Sequence, residues 1–233
     1  MIVTTSDKPG PDQIARAERV AARCDVPYER RRGAPTGFAY VVGRNRDELR
    51  DGAASLTVHE GMLHARLQAG QDHPLIRAIG PAVHVVDGTL GLAGDALHIS
   101  AVLGCKVTGI EGSPAIYSLL EEGIPRLAKT LAPARRIVLL LGEATATLAG
   151  IGSADAVFLA PMYDRARAAT PGFELLRRVA VHDPFTPRML EQAHRIAPRV
   201  VLKVDRGAPE VEGTTARIRG KSVDYVVLDR RGV

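Results

Sequence analysis

Val83-His84-Val85-Val86-Asp87-Gly88-Thr89-Leu90-Gly91-Leu92-Ala93-Gly94-Asp95 sets the reading of everything around it. The β-favouring residues 83–86 form a buried strand that ends on an acid, Asp87. Gly88, Gly91 and Gly94 punctuate a turn, and an apolar helical pattern follows Asp95. Glycine has no Cβ, so a ligand can lie against bare backbone at such a turn. The helix behind it opens with N–H groups that lack intrahelical partners. Spacing at 88, 91 and 94 is not G-x-G-x-x-G, and Asp87 would repel a pyrophosphate while holding a cationic or zwitterionic ligand.

Outward from this turn, strands alternate with helices, the pattern of a parallel sheet. Strands are predicted over 82–86, 106–111, 136–141, 156–159, 200–204 and 225–228, and helices near 95–103, 114–129, 173–180 and 187–196. Ser113-Pro114 and Thr186-Pro187 are helix starts, a hydroxyl cap followed by proline at the first helical position. A helix over 73–79 has Pro74 in its first turn. The fold class is thus α/β, a doubly wound and mainly parallel sheet over residues 72–233. Residues 1–71 read as a small α/β module. It holds a strand at 2–5, a helix over 12–24 with Ile14, Ala17, Val20 and Ala21 on one face, and a strand at 38–43. An extended piece runs from Val26 and Tyr28 into Glu29-Arg30-Arg31-Arg32, and 56–67 reads as extended with polar alternation. No internal repeat or low-complexity tract is visible.

Open α/β sheets bind ligands at the carboxyl ends of their strands, and here three successive strands end on acids. Asp87 closes the first and is suited to an amino-acid ammonium group. Glu111 closes the second, in Glu111-Gly112-Ser113, at the distance along the chain where an acid accepts both ribose hydroxyls. The third runs into Gly142-Glu143-Ala144, where a carboxylate could meet an adenine amino group. A set of three is more specific than the glycine turn alone, and it points to S-adenosylmethionine in preference to NAD. The competing reading is that these acids simply cap helices. The predicted cofactor contacts are Asp87, Gly88, Thr89, Gly91, Leu92, Gly94, Asp95, Glu111, Gly112, Ser113, Glu143 and Ala144.

Composition narrows the partners. The 233 residues carry a net charge of +5 and are 45% hydrophobic and 24% charged, as in ordinary globular proteins. Aromatic content of 4% without Trp argues against a stacking platform for single-stranded nucleic acid. The basic excess is mostly arginine, which suits phosphate, although a general compositional bias toward arginine gives the same count. Phosphate-contact candidates are Arg30, Arg31, Arg32, Arg44, Arg46 and Arg66 in the first module, and Arg165, Arg167 and Lys203 near the strand ends. Cys24 and Cys105 make neither a disulfide framework nor a metal cluster, which fits a reducing cytoplasm. Cys105 reads as core. His59, His64 and His73 match no common ligand spacing, so no metal is expected. With no leader and no membrane-length apolar run, the chain is expected to be soluble and cytoplasmic.

Asp87-Gly88-Thr89-Leu90-Gly91-Leu92-Ala93-Gly94-Asp95-Ala96 resembles the first motif of the RsmJ-like class I methyltransferases. Ile2-Val3-Thr4-Thr5-Ser6 with Val26-Pro27-Tyr28 is similar to the amino-terminal module of a Gram-positive branch of that family. Leu202-Lys203-Val204 and Gly220-Lys221-Ser222-Val223-Asp224-Tyr225 resemble its carboxyl-terminal segments. The likeness spans nearly the whole chain. It implies a seven-stranded methyltransferase sheet, S-adenosylmethionine as cofactor, and the N2 amino group of a guanine in small-subunit ribosomal RNA as target.

One departure stands out. Where the resemblance predicts Asp-Pro-Met-Phe, the chain has Ala160-Pro161-Met162-Tyr163. An Asp there would accept a hydrogen bond from the target amine and aim its lone pair, which alanine cannot do. Backbone carbonyls of Ala160 and Pro161 could do part of this work, and Tyr163 could stack on a base; Asp164 could substitute only in a rearranged loop. Ala160, Pro161, Met162 and Tyr163 are therefore the predicted catalytic loop, with Tyr163, Arg165, Lys203 and Arg66 on the substrate side. Met162 and Tyr163 would wall a pocket for a flipped base. The alternatives are a protein that binds the cofactor without transferring its methyl group, and a methyltransferase acting on a small molecule. Sequence leaves the oligomeric state open.

Overall fold

The computed structural model describes residues 1–30, 33, 37–61, 63–161, 171–182 and 185–230. The first unit contains β1 (Ile2–Thr5), α1 (Pro11–Cys24), β2 (Ala39–Val42), β3 (Glu48–Asp51) and β4 (Ala54–Leu56). β1 pairs parallel with β2, and β3 and β4 continue the sheet antiparallel. α1 buries Ala17, Val20 and Ala21 in one apolar cluster with Val3, Tyr40 and Val42. Tyr28 adds a single parallel bridge to Val3.

Two short helices, α2 (Leu63–Leu67) and α3 (Pro74–Ile79), lead into the larger unit. It runs β5 (His84–Asp87), α4 (Gly94–Leu103), β6 (Lys106–Glu111), α5 (Pro114–Leu127), β7 (Ile137–Leu141), α6 (Ala144–Ala149), β8 (Ala156–Leu159), α7 (Pro171–Val179), α8 (Pro187–Ile196), β9 (Arg199–Asp205), β10 (Ala216–Arg219) and β11 (Val223–Asp229). The sheet order is β10-β11-β9-β8-β5-β6-β7, with β11 antiparallel to both neighbours. This is the seven-stranded, doubly wound and mainly parallel α/β architecture anticipated from the sequence. Strand order reverses at β5, so a crevice opens at its carboxyl end, between β6 and β8.

Side chains alternate across a strand, and β5 uses that to build two cores. Val85 joins a cluster that includes Val107, Phe158 and Val201, whereas Val86 joins Val157, Leu159 and Val200 in the other. Both valines are fully buried, each worth about 1.5–3 kcal/mol relative to exposure. Because both faces are covered, the central strands are nearly continuous apolar runs. The first cluster extends without a break into the small sheet. Gly123 on α5 permits that approach: a Cβ there would sit 2.4 Å from the Cβ of Val58. Arg23 of α1 clamps Glu121 of α5 through two bonds of 3.0 Å, and Arg126 donates to the Val58 carbonyl at 2.8 Å.

The largest departures from expectation are the stretch 56–67, β3, β10 and α6. The stretch 56–67 is not extended throughout: β4 ends at Leu56, and 63–67 is the helix α2. Leu63 and Leu67 sit one helical turn apart, a spacing hidden beneath an apparent alternation. β3 was missed because three of its four residues are charged and only Leu49 is buried. Its signal was the Asp51-Gly52 pair, with Gly52 at φ +55 in a tight hairpin turn. β10 is a short edge strand and α6 a single short helix, neither with a strong apolar pattern. No helix among the described residues is long and apolar enough to cross a membrane.

Candidate functional site

A cavity of about 340 Å³ opens at the carboxyl ends of the central strands. Its floor is the turn after β5. Gly88 N–H donates to the Phe158 carbonyl and Leu90 N–H to the Ile110 carbonyl, both at 2.9 Å, so the turn is fastened to both neighbouring strands. Gly109 makes room for Leu90, since a Cβ there would come within 2.5 Å of the leucine side chain. Gly91 sits at φ +53, and a Cβ at Gly91 or Gly94 would meet nothing within 4 Å, so both glycines face open space. Glu111 then pins the turn: one carboxylate oxygen accepts from Gly91 N–H at 2.9 Å and the other from Ser113 N–H at 2.7 Å. Across the cavity, Ala160 N–H donates to the Thr89 hydroxyl at 2.6 Å and ties the turn to the end of β8.

The acids occupy three different environments. Asp87 is 1% exposed and accepts only from Thr89 N–H at 3.1 Å among the described contacts. Burial, and then the charge of Asp95, push its carboxyl up to about 7. Burial likewise raises Glu111 to about 7 against the pull of the Ser113 and Gly91 amides. Asp95, in the first turn of α4, is different. Burial acts to raise its pKa, but the ammonium of Lys203 and the guanidinium of Arg66 outweigh it and hold it below the usual carboxylate range. Its two oxygens accept from Arg66 at 2.6 Å and from Lys203 at 2.7 Å.

All the predicted cofactor contacts except Asp87 and Ser113 line this one cavity, together with Ala160, Pro161, Arg66 and Lys203. Asp87 and Ser113 sit deeper. Asp87 lies behind the wall, so the carboxylate that faces the cavity beside the turn is Asp95. Ser113 is 2% exposed and caps α5, its hydroxyl accepting from Ile116 N–H at 3.3 Å. Glu143 does line the cavity, but both of its oxygens cap α6, accepting from Thr145 and Ala146 N–H at 2.7 Å each. The capping alternative therefore describes Glu143 well. Slight burial raises its pKa, but the Ala146 and Thr145 amides bring it below the ordinary value.

The remaining candidates scatter. Arg66 and Lys203 are half-buried partners of Asp95 inside the cavity, not surface groups free to track a phosphate backbone. Arg44 and Arg46 line a separate groove with Ser6 and Lys8, and Arg30 is exposed. His73 caps α3 by accepting from Leu75 N–H at 3.2 Å and packs edge-on against His98. Among the described residues no group of three or more His, Cys, Asp or Glu could hold a metal. Met162, Tyr163, Asp164, Arg165 and Arg167, and likewise Arg31 and Arg32, lie outside the described residues. Sequence reasoning missed the apolar walls: Ile116, Phe173, Val181 and Met189, from α5, α7, the segment after α7, and α8. Only the general amphipathic pattern of those helices hinted at them.

The residues present fit a sulfonium nucleoside. Glu111 has lone pairs left for a diol, the glycine turn leaves space at the backbone, apolar side chains flank the region between Glu111 and Glu143, and opposite charges meet beside Asp95. Comparison with known proteins agrees. The SAM_MT family model, of SAM-dependent methyltransferases, matches residues 39–227. The ribosomal RNA small subunit methyltransferase J of Pseudomonas fluorescens is 31% identical, over 96% of this chain and 94% of its own. That of Nitrosococcus oceani is 37% identical over 84% and 85%. A solved SAM-dependent methyltransferase from Neisseria gonorrhoeae has the same fold, with a TM-score of 0.71 at 24% identity, covering 100% of this chain and 97% of that one. With its seven-stranded sheet and its cavity at the glycine turn, the chain belongs to the SAM-dependent methyltransferases, in the family of the small-subunit methyltransferase J proteins.

Proposed function

We propose that this methyltransferase modifies small-subunit ribosomal RNA in the cytoplasm, at the N2 amino group of a guanine. The observation that carries the reading is the meeting, in one cavity, of the Glu111-pinned turn with the backbone of Ala160 and Pro161. The names of the relatives supply the substrate class. When bound, the cofactor supplies a methyl group on a sulfonium, an electrophile that needs little acid–base help, so proximity and orientation dominate. Glu111 accepts the ribose hydroxyls, and Gly88, Thr89, Gly91, Leu92 and Gly94 form the floor beneath. Glu143 and Ala144 border the adenine, and Gly112 lets it approach β6. The carbonyl oxygens of Ala160 and Pro161 accept from the target amine and orient its lone pair, while Phe173 and Met189 exclude water. The target amine so held would take the methyl carbon as its bond to sulfur breaks, and its proton would leave to solvent. Met162, Tyr163 and Arg165 belong to the substrate side in this reading. Residues 1–71 act as a module that completes the domain of residues 72–233.

Lack of a side-chain acceptor at Ala160 lowers the rate; one positioned polar partner is worth about 10²–10³ in rate. Ala160 also favours a second reading, cofactor binding without transfer. Tritiated S-adenosylmethionine incubated with unmodified small subunits tests both. Label recovered in N2-methylguanosine after digestion supports the first. Tight cofactor binding with no transfer supports the second, and label confined to free metabolites overturns both.

A further inference from the structure

The end of the cavity beside Asp95 carries more positive charge than its own carboxylate neutralises. Arg66, from α2, and Lys203, from β9, both line the cavity, and both are bonded to the single Asp95. Of the histidines packed behind, burial and then Arg66 lower His73, and burial, His73 and Arg66 bring His98 down to about 4. Two cations are bonded to one carboxylate there, at the edge of a turn whose Gly91 and Gly94 face open space. An ammonium has three donors and a guanidinium five. Among the described residues, each side chain spends one short bond on Asp95, and Arg66 adds a long one, 3.4 Å, to the Gly94 carbonyl. Donors therefore remain for a second anion. Asp95 meanwhile holds together two like charges that would otherwise repel, so the receptor is formed before any ligand arrives.

We infer that Arg66 and Lys203 are the receptor for the carboxylate of the cofactor's amino-acid moiety, with Asp95 as the positioning residue between them. The inference rests on the cofactor reading above. It also gives the amino-terminal segment a contact with the cofactor, through α2, that no sequence motif announces. A ribosomal phosphate is the competing anion, but these side chains are recessed, with only 31% of Arg66 and 19% of Lys203 exposed.

Calorimetric titration of the full chain with S-adenosylmethionine and with its decarboxylated analogue isolates the carboxylate. The wild type is expected to prefer the intact cofactor by about 100-fold, as for charge-assisted contacts of this kind. Arg66→Met and Lys203→Met should each weaken intact cofactor about tenfold while leaving the analogue within about twofold, on the same scale. Unchanged analogue binding shows that each variant is folded, and Lys203→Arg should keep most of the preference. Equal affinity of the wild type for both compounds overturns the inference alone. So does a loss shared equally by both ligands, or intact cofactor binding with weakened association to small-subunit RNA. A wild type that binds neither compound overturns the cofactor reading as well.

Discussion

The two ends of the cavity are built in opposite ways. At the nucleoside end, Glu111 accepts from Gly91 and Ser113, which stand 20 and 2 residues from it in the chain. One strand–turn–helix–strand unit supplies those contacts, and burial raises its acid to about 7. At the other end, Asp95 meets Arg66 and Lys203 from 29 and 108 residues away. That cluster exists only when α2, α4 and β9 come together. A local unit can carry a recognisable motif, whereas an assembled one leaves only isolated charged residues in the sequence.

Glu111→Gln should break the nucleoside end with the largest effect. Losing a charged acceptor shared by two backbone donors and a diol should weaken S-adenosylhomocysteine about 100-fold. Methylthioadenosine, which has no amino-acid part, should weaken equally, and calorimetry that finds it unaffected would erase the distinction between the ends. Ala160→Asp lies between them. Single-turnover methylation of small subunits should accelerate about tenfold or more if orientation of the amine limits the rate. An unchanged rate would favour the non-transferring reading.

The third prediction uses Asp87, which sits beneath the turn and responds to both ends. Its carboxyl is raised from 3.8 to about 7, first by burial and then by Asp95. The folded state therefore prefers it protonated. That contribution to stability is complete below pH 4 and is lost as pH rises through 7. The melting temperature of the ligand-free chain should fall between pH 6 and 8, and less so in Asp87→Asn. A cationic cofactor favours the ionised form, so its affinity should change the opposite way and rise about tenfold over the same range, by linkage. If the two profiles run in the same direction, Asp87 is not coupled to the cofactor. Glu143→Ala is the smallest perturbation. Removing an exposed cap should lower the melting temperature by a few degrees, at about 1 kcal/mol, and weaken S-adenosylhomocysteine about threefold.

Periodicity made most of the larger unit legible. β6 and β8 begin and end where read, and the Ser113 and Thr186 caps form as expected. The small unit was less legible because its strands are short and one of them, β3, is mostly charged. Glu48-Leu49-Arg50-Asp51 becomes a strand through pairing on both sides, which no local propensity records. At the site, strand-end position put Asp87, Glu111 and Glu143 at the carboxyl edge of the sheet but did not record their exposure. Asp87 and Asp95 are both acids flanking one turn, and only packing buries the first and turns the second into the cavity.

Taken by itself, the chain's sequence determined the parallel sheet and the glycine turn with Glu111. Each depends on residues close enough in sequence for pattern and spacing to record their contacts. The tertiary structure alone decided that Asp95 replaces Asp87 at the cavity wall, that Glu143 is spent on α6, and that Arg66 reaches the same carboxylate as Lys203. Those outcomes depend on desolvation and on charges brought together from distant segments, and neither quantity exists until the chain has closed around them.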